Sequence, residues 1–419
     1  MRSLLTRSIA VATTAGLAAM LALGGASAAT AAELPEPEIV TGAPTNLNFP
    51  IVYDGSLWIR GGATNVWFAS PDGETFTEVA GSPEDVVSPA ILDGALYFST
   101  FDDEVWRYTE ADGFDLIDSI DTSADLVAFD GRLFTSARPS PADDFLLYVY
   151  APGDAAFTLI PLPAEISFVT ELFVFGDALH LLAFSTGNTE NLYQLDGADT
   201  PIPVDMPAPG GGSGDIRLFN YIATLGDTLY VAINTEDFST RVLYSYELGG
   251  PLVEAPGPFP WSSVGNIVAY NGTLYVVDSD TGLLYQSSGG PFTPVADAPL
   301  YFGGSAFVFE GVLLAAGKFD LGSDDDLLFA FDGTSFDETP GVFNPSGFFE
   351  FNGDVYFFGE LGSAGGDSSL LRFDLTPADA GDPELAATGV NELTVAGGVV
   401  GAMLLLAGAV LLAASRRQA

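Results

Sequence analysis

The 419-residue sequence has no cysteine, one histidine (His180) and one lysine (Lys318). Without thiols there is no disulfide staple, no Cys-based zinc site and no thiol nucleophile, so a folded body must be held together by burial alone. A single imidazole supports neither a multi-histidine metal site nor a Ser-His-Asp triad. Basic residues are scarce, 12 Lys+Arg against 56 Asp+Glu, for a net charge of −44. Four of the 12, Arg2, Arg7, Arg416 and Arg417, lie near the two ends. Glu392 is the only acid outside residues 32–384, which therefore carry 55 acids against eight bases, a net charge of −47. Such a surface lacks the basic footprint that nucleic acid or anionic lipid requires, so no nucleic-acid partner is expected. Helical periodicity is also missing from the body.

Aromatic residues are plentiful, with 32 Phe, 15 Tyr and 4 Trp, enough to build a buried core. They recur in a pattern. Asp54-Gly55-Ser56-Leu57-Trp58 returns with turn residues at Asp93-Gly94, Asp130-Gly131, Gly176-Asp177, Gly226-Asp227, Asn271-Gly272, Glu310-Gly311 and Asn352-Gly353. Asp-Gly and Asn-Gly fit two-residue type I′ hairpins, and Gly-Asp fits type II′. Glu310-Gly311 is the poor fit. An apolar strand precedes each turn and a Leu-aromatic strand follows it. A second Leu-aromatic pair comes later, as at Val105-Trp106, Leu147-Tyr148 and Leu243-Tyr244. A last strand is often marked by Phe, at Phe76, Phe114, Phe157, Phe292 and Phe336. Each unit is thus four short strands.

Four-stranded units at this spacing resemble β-propeller blades. The resemblance implies an all-β ring of about eight blades over residues 32–376, with seven the alternative. The eighth unit ends near Phe373-Asp374-Leu375 without an outermost strand, so Glu38-Ile39-Val40 is expected to supply it. Ser70-Pro71-Asp72-Gly73-Glu74-Thr75-Phe76 is similar to a shortened sialidase Asp-box, but it occurs once and assigns no subfamily.

The ends read as addresses. Residues 1–31 form a signal peptide: a basic start, an apolar run from Ile9 to Leu23, then small residues at the cleavage site. A short Pro/Asp linker spans 377–384. Leu385, Ala386, Ala387, Thr388 and Gly389 follow. Leu393 to Ala414 is an uncharged transmembrane helix of about 33 Å. Residues 415–419 form a basic tail, in which Arg416 and Arg417 set the cytoplasmic side. This order resembles the cell-wall sorting signal of Gram-positive surface proteins, and Ala386 in place of Pro looks like the actinobacterial class E variant. The resemblance implies sortase and peptidoglycan as partners, with cleavage after Thr388. Without a sortase, the helix stays as a membrane anchor. Either way the body faces outward, to meet an extracellular ligand that the sequence does not name.

Chemistry is thinly marked. His180 fills the slot held elsewhere by Trp58, Tyr97 and Phe134, so packing is its expected role. An arginine triad would need three of Arg60, Arg107, Arg132, Arg138, Arg217, Arg241 and Arg372 to converge, which nothing in their spacing demands. Arg372 stands where the other units carry an aromatic. No catalytic residue and no cofactor are expected. Calcium is the one ion suggested, by Asp278-Ser279-Asp280-Thr281-Gly282, Asp102-Asp103-Glu104 and Ser323 to Asp326, although Gly289 stands where a calcium loop would end in Glu and turn geometry explains such acids better. The reading is a binding or structural surface module, with an extracellular carbohydrate-active enzyme as the alternative. Loops near Pro139 to Asp144, Thr186 to Glu190, Asp205 to Gly214 and Thr235 to Thr240 are the expected contact regions.

Overall fold

The computed structural model describes residues 35–122, 126–140, 143–187, 189–205, 219–234, 241–255, 263–309, 311–320, 323, 325–362 and 368–373. Among them every regular element is a strand. The expected signal peptide, linker, sorting motif, apolar span and Arg416–Arg417 pair lie outside these residues.

The turn chemistry holds at seven of the eight inner hairpins; Glu310, of the remaining one, lies outside the described residues. Asp54, Asp93, Asp130, Asn271 and Asn352 have φ between 47° and 54°, and the glycines after them lie between 69° and 87°, as a type I′ turn requires. At Gly176 and Gly226 only the first turn residue is positive, at 58° and 59°, which is the type II′ form. Blade 1 is then Asn48–Tyr53, Ser56–Gly61, Val66–Ser70 and Thr77–Glu78, hydrogen-bonded in that order. Blades 2, 4, 5 and 6 repeat this four-stranded order, and blade 3 adds a short strand, Asp121–Thr122, beside its second. The 16-residue strand Phe336–Phe351 serves twice. Its first half is the outer strand of blade 7, and its second half is the inner strand of blade 8.

At six of the eight junctions the first strands of neighbouring blades touch one another, so they line the axis. Second strands are buried almost throughout, and most outer strands are short and exposed, Gly113–Ser119 of blade 2 being a longer exception. Eight apolar clusters fill the ring, one at each junction of consecutive blades. The last joins Leu57 and Ile59 of blade 1 to Phe349, Phe351 and Tyr356 of blade 8, which closes the circle. Tyrosines latch some junctions: Tyr53 donates to the Gly94 carbonyl at 3.0 Å, and Tyr270 donates to the equivalent Gly311 carbonyl at 2.5 Å. Tyr53→Phe and Tyr270→Phe should each cost about 1 kcal/mol in urea unfolding. Unchanged midpoints in both would show that these bonds stabilise nothing.

The N-terminal segment closes blade 8 as expected. Glu38 pairs with Arg372 and Ile39 with Leu371, and the Val40 amide donates to Leu370 at 2.9 Å. Gly42 bridges to Thr75 so tightly that a Cβ there would overlap the Glu74 carbonyl. Arg372 clasps the seam, with Glu74 at 2.7 Å, Glu38 at 3.6 Å and Asp354 at 3.9 Å. Burial opposes its charge, but Glu74 and Tyr356 more than offset that and raise its pKa. The register corrects one expectation. Leu371 pairs with Phe357 as Trp106 pairs with Phe98, so Leu371 takes the aromatic slot. Arg372 pairs with Tyr356 as Arg107 pairs with Tyr97, and so matches Arg107 instead.

Outer edges are guarded. The Val204 and Val295 amides donate inward, to Leu192 and Leu284. By alternation Pro203 and Pro294 occupy the outward positions, where they offer no N–H to an incoming strand.

Candidate functional site

On the innermost strands, two residues before each turn, stand Val52, Ile91, Ala128, Val174, Thr224, Ala269, Val308 and Glu350. This level of the axis carries one carboxylate, Glu350, and one hydroxyl, Thr224, among apolar side chains. A paired-carboxylate centre of the kind a glycosidase uses is absent from it among the described residues.

His180 is fully buried and stacks on Phe173 at 5.5 Å. Burial pushes its pKa down to about 4, against a partial lift from the Ala178 carbonyl. It also crosses the junction to blade 5, with Nε2 3.3 Å from the Tyr246 hydroxyl, itself 3.2 Å from Gln194 Oε1. Packing is therefore joined by a hydrogen bond that the repeat pattern did not show. A half-open cleft of about 400 Å³ lies beside this group, walled by Ile202, Val204 and Pro251.

The acidic loops differ: Asp102 and Asp103 are exposed, whereas Asp278 is buried. Its Oδ1 accepts from the Asp280 amide at 3.2 Å, and its Oδ2 accepts from the Thr281 hydroxyl at 2.5 Å. Lys318 donates to the Ser323 carbonyl at 3.1 Å and lies 3.4 Å from Asp326. Asp103 is raised by partial desolvation and then by Asp121, which is itself held 2.5 Å from Arg138 Nε. Among the described residues no group of three or more His, Asp or Glu side chains is placed to hold a metal ion. The Asp-box-like turn is not singular. Asp72 Oδ1 accepts from the Thr75 and Glu74 amides and the Ser70 hydroxyl, which lowers its pKa to about 2. Asp332 and Asp196 cap the corresponding turns of blades 7 and 4 in the same way. The signal was an Asp-Gly opening each of those turns, without the flanking Ser.

The described arginines do not converge. Arg107 pairs with Asp112 and Asp115, Arg132 with Asp199 at 2.6 Å, and Arg138 with Asp121. Arg241 donates to the Asn234 amide oxygen and the Val264 carbonyl. Arg60 stands apart. It is only 8% exposed, donates through Nη1 to the Val86 carbonyl at 3.1 Å, and lies under Phe49 and Phe101 at 5.2 and 5.6 Å. Burial lowers its pKa, with a counteracting lift from Asp85. It has no carboxylate partner within 4.0 Å among the described residues. The expected contact loops are only partly visible: residues 141–142, 188, 206–218 and 235–240 lie outside the described set, as do the sorting-signal residues 385–389.

No protein-family model matches this sequence, and no curated protein matches it. Among solved structures, the computationally designed Ika8 protein superposes with a TM-score of 0.52 at 12% identity, over 81% of this chain and 99% of that one. The Dos1 propeller gives 0.46 at 11% identity, over 79% and 88%. Porphyromonas gingivalis dipeptidyl peptidase 4 gives 0.48 at 11% identity, over 70% of this chain and 49% of that one. At such identities the likeness concerns fold alone, and the last two superpose too loosely to carry an argument. The body is a β-propeller of eight blades.

Proposed function

We propose that this chain is an exported surface protein that displays the propeller as a binding module. The observation that carries this reading is the order at the C-terminus: Leu385 to Gly389, then the uncharged run to Ala414, then Arg416 and Arg417. The leader agrees with it, and the propeller supplies a rigid scaffold for loops on one face. Anchorage to the wall by a sortase is the finer form of the proposal. Mass spectrometry of the C-terminus from the native host tests it. A mature chain ending at Thr388 in the wall fraction, lost in Thr388→Ala, is the expected result. Recovery of an uncleaved chain, body and residues 393–419 together, in the membrane fraction would replace wall linkage by a simple membrane anchor. Recovery from the cytosol would end the reading.

The competing reading, an extracellular carbohydrate-active enzyme, draws on one observation, the raised Asp103 beside Arg138-bound Asp121. It requires polysaccharide cleavage that Asp103→Asn abolishes.

A further inference from the structure

Among the described residues, six buried side-chain polar atoms have no hydrogen-bond partner. Three of them, Arg60 Nε, Trp67 Nε1 and Thr100 Oγ1, line the seam between blades 1 and 2. Their placement follows from register. Arg60 and Trp67 pair directly across adjacent strands, so they share one face of blade 1. That face meets blade 2, because Arg60 reaches the Val86 carbonyl and Trp67 packs on Phe98 at 5.8 Å. Thr100 lies two residues beyond Phe98 on the same side of its strand, and it pairs with Val86 itself.

All three groups are donors, and the arginine and indole nitrogens cannot accept. A buried donor without an acceptor is costly, and such groups in a folded protein call for a partner. Arg241 shows what satisfaction looks like. It approaches the matching first carbonyl of blade 6, with Nη1 3.1 Å from Val264 O, while its Nε finds Asn234 Oδ1 at 3.0 Å. Among the described residues no such acceptor reaches Arg60 Nε. Asp85, the carboxylate that acts on Arg60 from farther off, is bonded by Asn65 at 2.8 Å.

We propose that the blade 1–2 seam is a binding subsite for a carboxylate carried by an extracellular ligand. With Nη1 committed to Val86, the guanidinium keeps its Nε–Nη2 edge, two parallel N–H donors that match the two oxygens of a carboxylate. Trp67 and Thr100 provide further donors along the same wall. Phe101, 66% exposed, covers the guanidinium and is the residue that must swing aside to admit the ligand. The strongly acidic surroundings work against anions in general. Selection therefore falls on a ligand that fits this one uncompensated cation. The inference rests on the binding-module reading and names the chemistry its loop face would recognise.

The test uses the soluble body, with tryptophan fluorescence and thermal unfolding as readouts. Two sources of carboxylate are compared with neutral partners: glucuronate against glucose, and short peptides with a free against an amidated C-terminus. The expected result is saturable quenching and a raised midpoint with one or both acids, and neither with the neutral forms. Arg60→Lys keeps the charge but loses the fork, and should weaken binding at least tenfold. Phe101→Ala changes only an exposed ring, so it guards against a misfolded Arg60 variant; it should quicken association several-fold. Equal response to acids and neutral forms, no response to any probe, or binding indifferent to both substitutions would overturn the proposal. None of those outcomes bears on the C-terminal processing that tests surface display.

Discussion

Removing residues 35–43 should destabilise the propeller by about 5 kcal/mol, through lost burial of Val40 and the lost ladder to the third strand of blade 8. Val40 is 8% exposed in the closed ring, and its amide and the Glu38–Ile39 strand bond directly to residues 370–372. The deletion also takes Glu38 from Arg372 and bares the edge of Ser369–Phe373, which no proline guards. Association at raised concentration should therefore accompany the loss. Equilibrium urea unfolding and light scattering read the two effects, and a synthetic peptide of residues 35–43 should reverse both. Gly42→Val is the single-residue counterpart, since a side chain there overlaps the Glu74 carbonyl. A truncated body within about 1 kcal/mol of the full one would mean that the ring holds without its clasp.

The second large effect concerns acid. His180 is neutral in the fold, with its pKa lowered to about 4 by burial, whereas an unfolded histidine takes up its proton near 6.5. The unfolded chain thus binds more protons between those values, so stability falls as pH drops from about 6.5 to about 4. A shift of this size corresponds to roughly 3 kcal/mol. His180→Phe removes the titration and places in the slot the residue that blade 3 already uses, Phe134. Tyr246 keeps Gln194 and the Gly249 amide as partners. The difference in unfolding free energy between variant and parent should therefore widen by about 3 kcal/mol in the variant's favour from pH 7 to pH 4. Parallel pH profiles would show that the imidazole is already charged in the fold or is reached by water.

What the sequence shows and what it hides divide along physical lines. Backbone chemistry is local, so Asp54-Gly55 or Gly226-Asp227 announces its turn type without help from elsewhere, and the alternating strands follow. Even the closing strand could be anticipated, because a blade short of one strand requires another. The Arg372 slot was misread for want of pairing information: only the register shows that Leu371, not Arg372, aligns with Trp106. Contacts across junctions were hidden for the same reason. His180 and Tyr246 stand 66 residues apart, and nothing in either local pattern links them. The Arg60 seam is a matter of missing partners, and an absence becomes visible only when every neighbour has been placed. The sorting signal is the reverse case, legible as text and outside the described structure.

The clasped seam also has a mechanical side. The body's last described strand, Ser369–Phe373, is not an edge. It runs between Asp354–Leu361 and the N-terminal Glu38–Ile39, with hydrogen bonds on both flanks. In a body tethered through its C-terminus, pulling forces enter the ring at this strand. Drawn along its own length, it must shear two ladders together and cannot be peeled from one. Arg372, joined to Glu38 on one side and Asp354 on the other, acts as a crosspin under that load. If the chain is anchored as proposed, the arrangement puts a doubly paired strand at the point where drag would enter the ring.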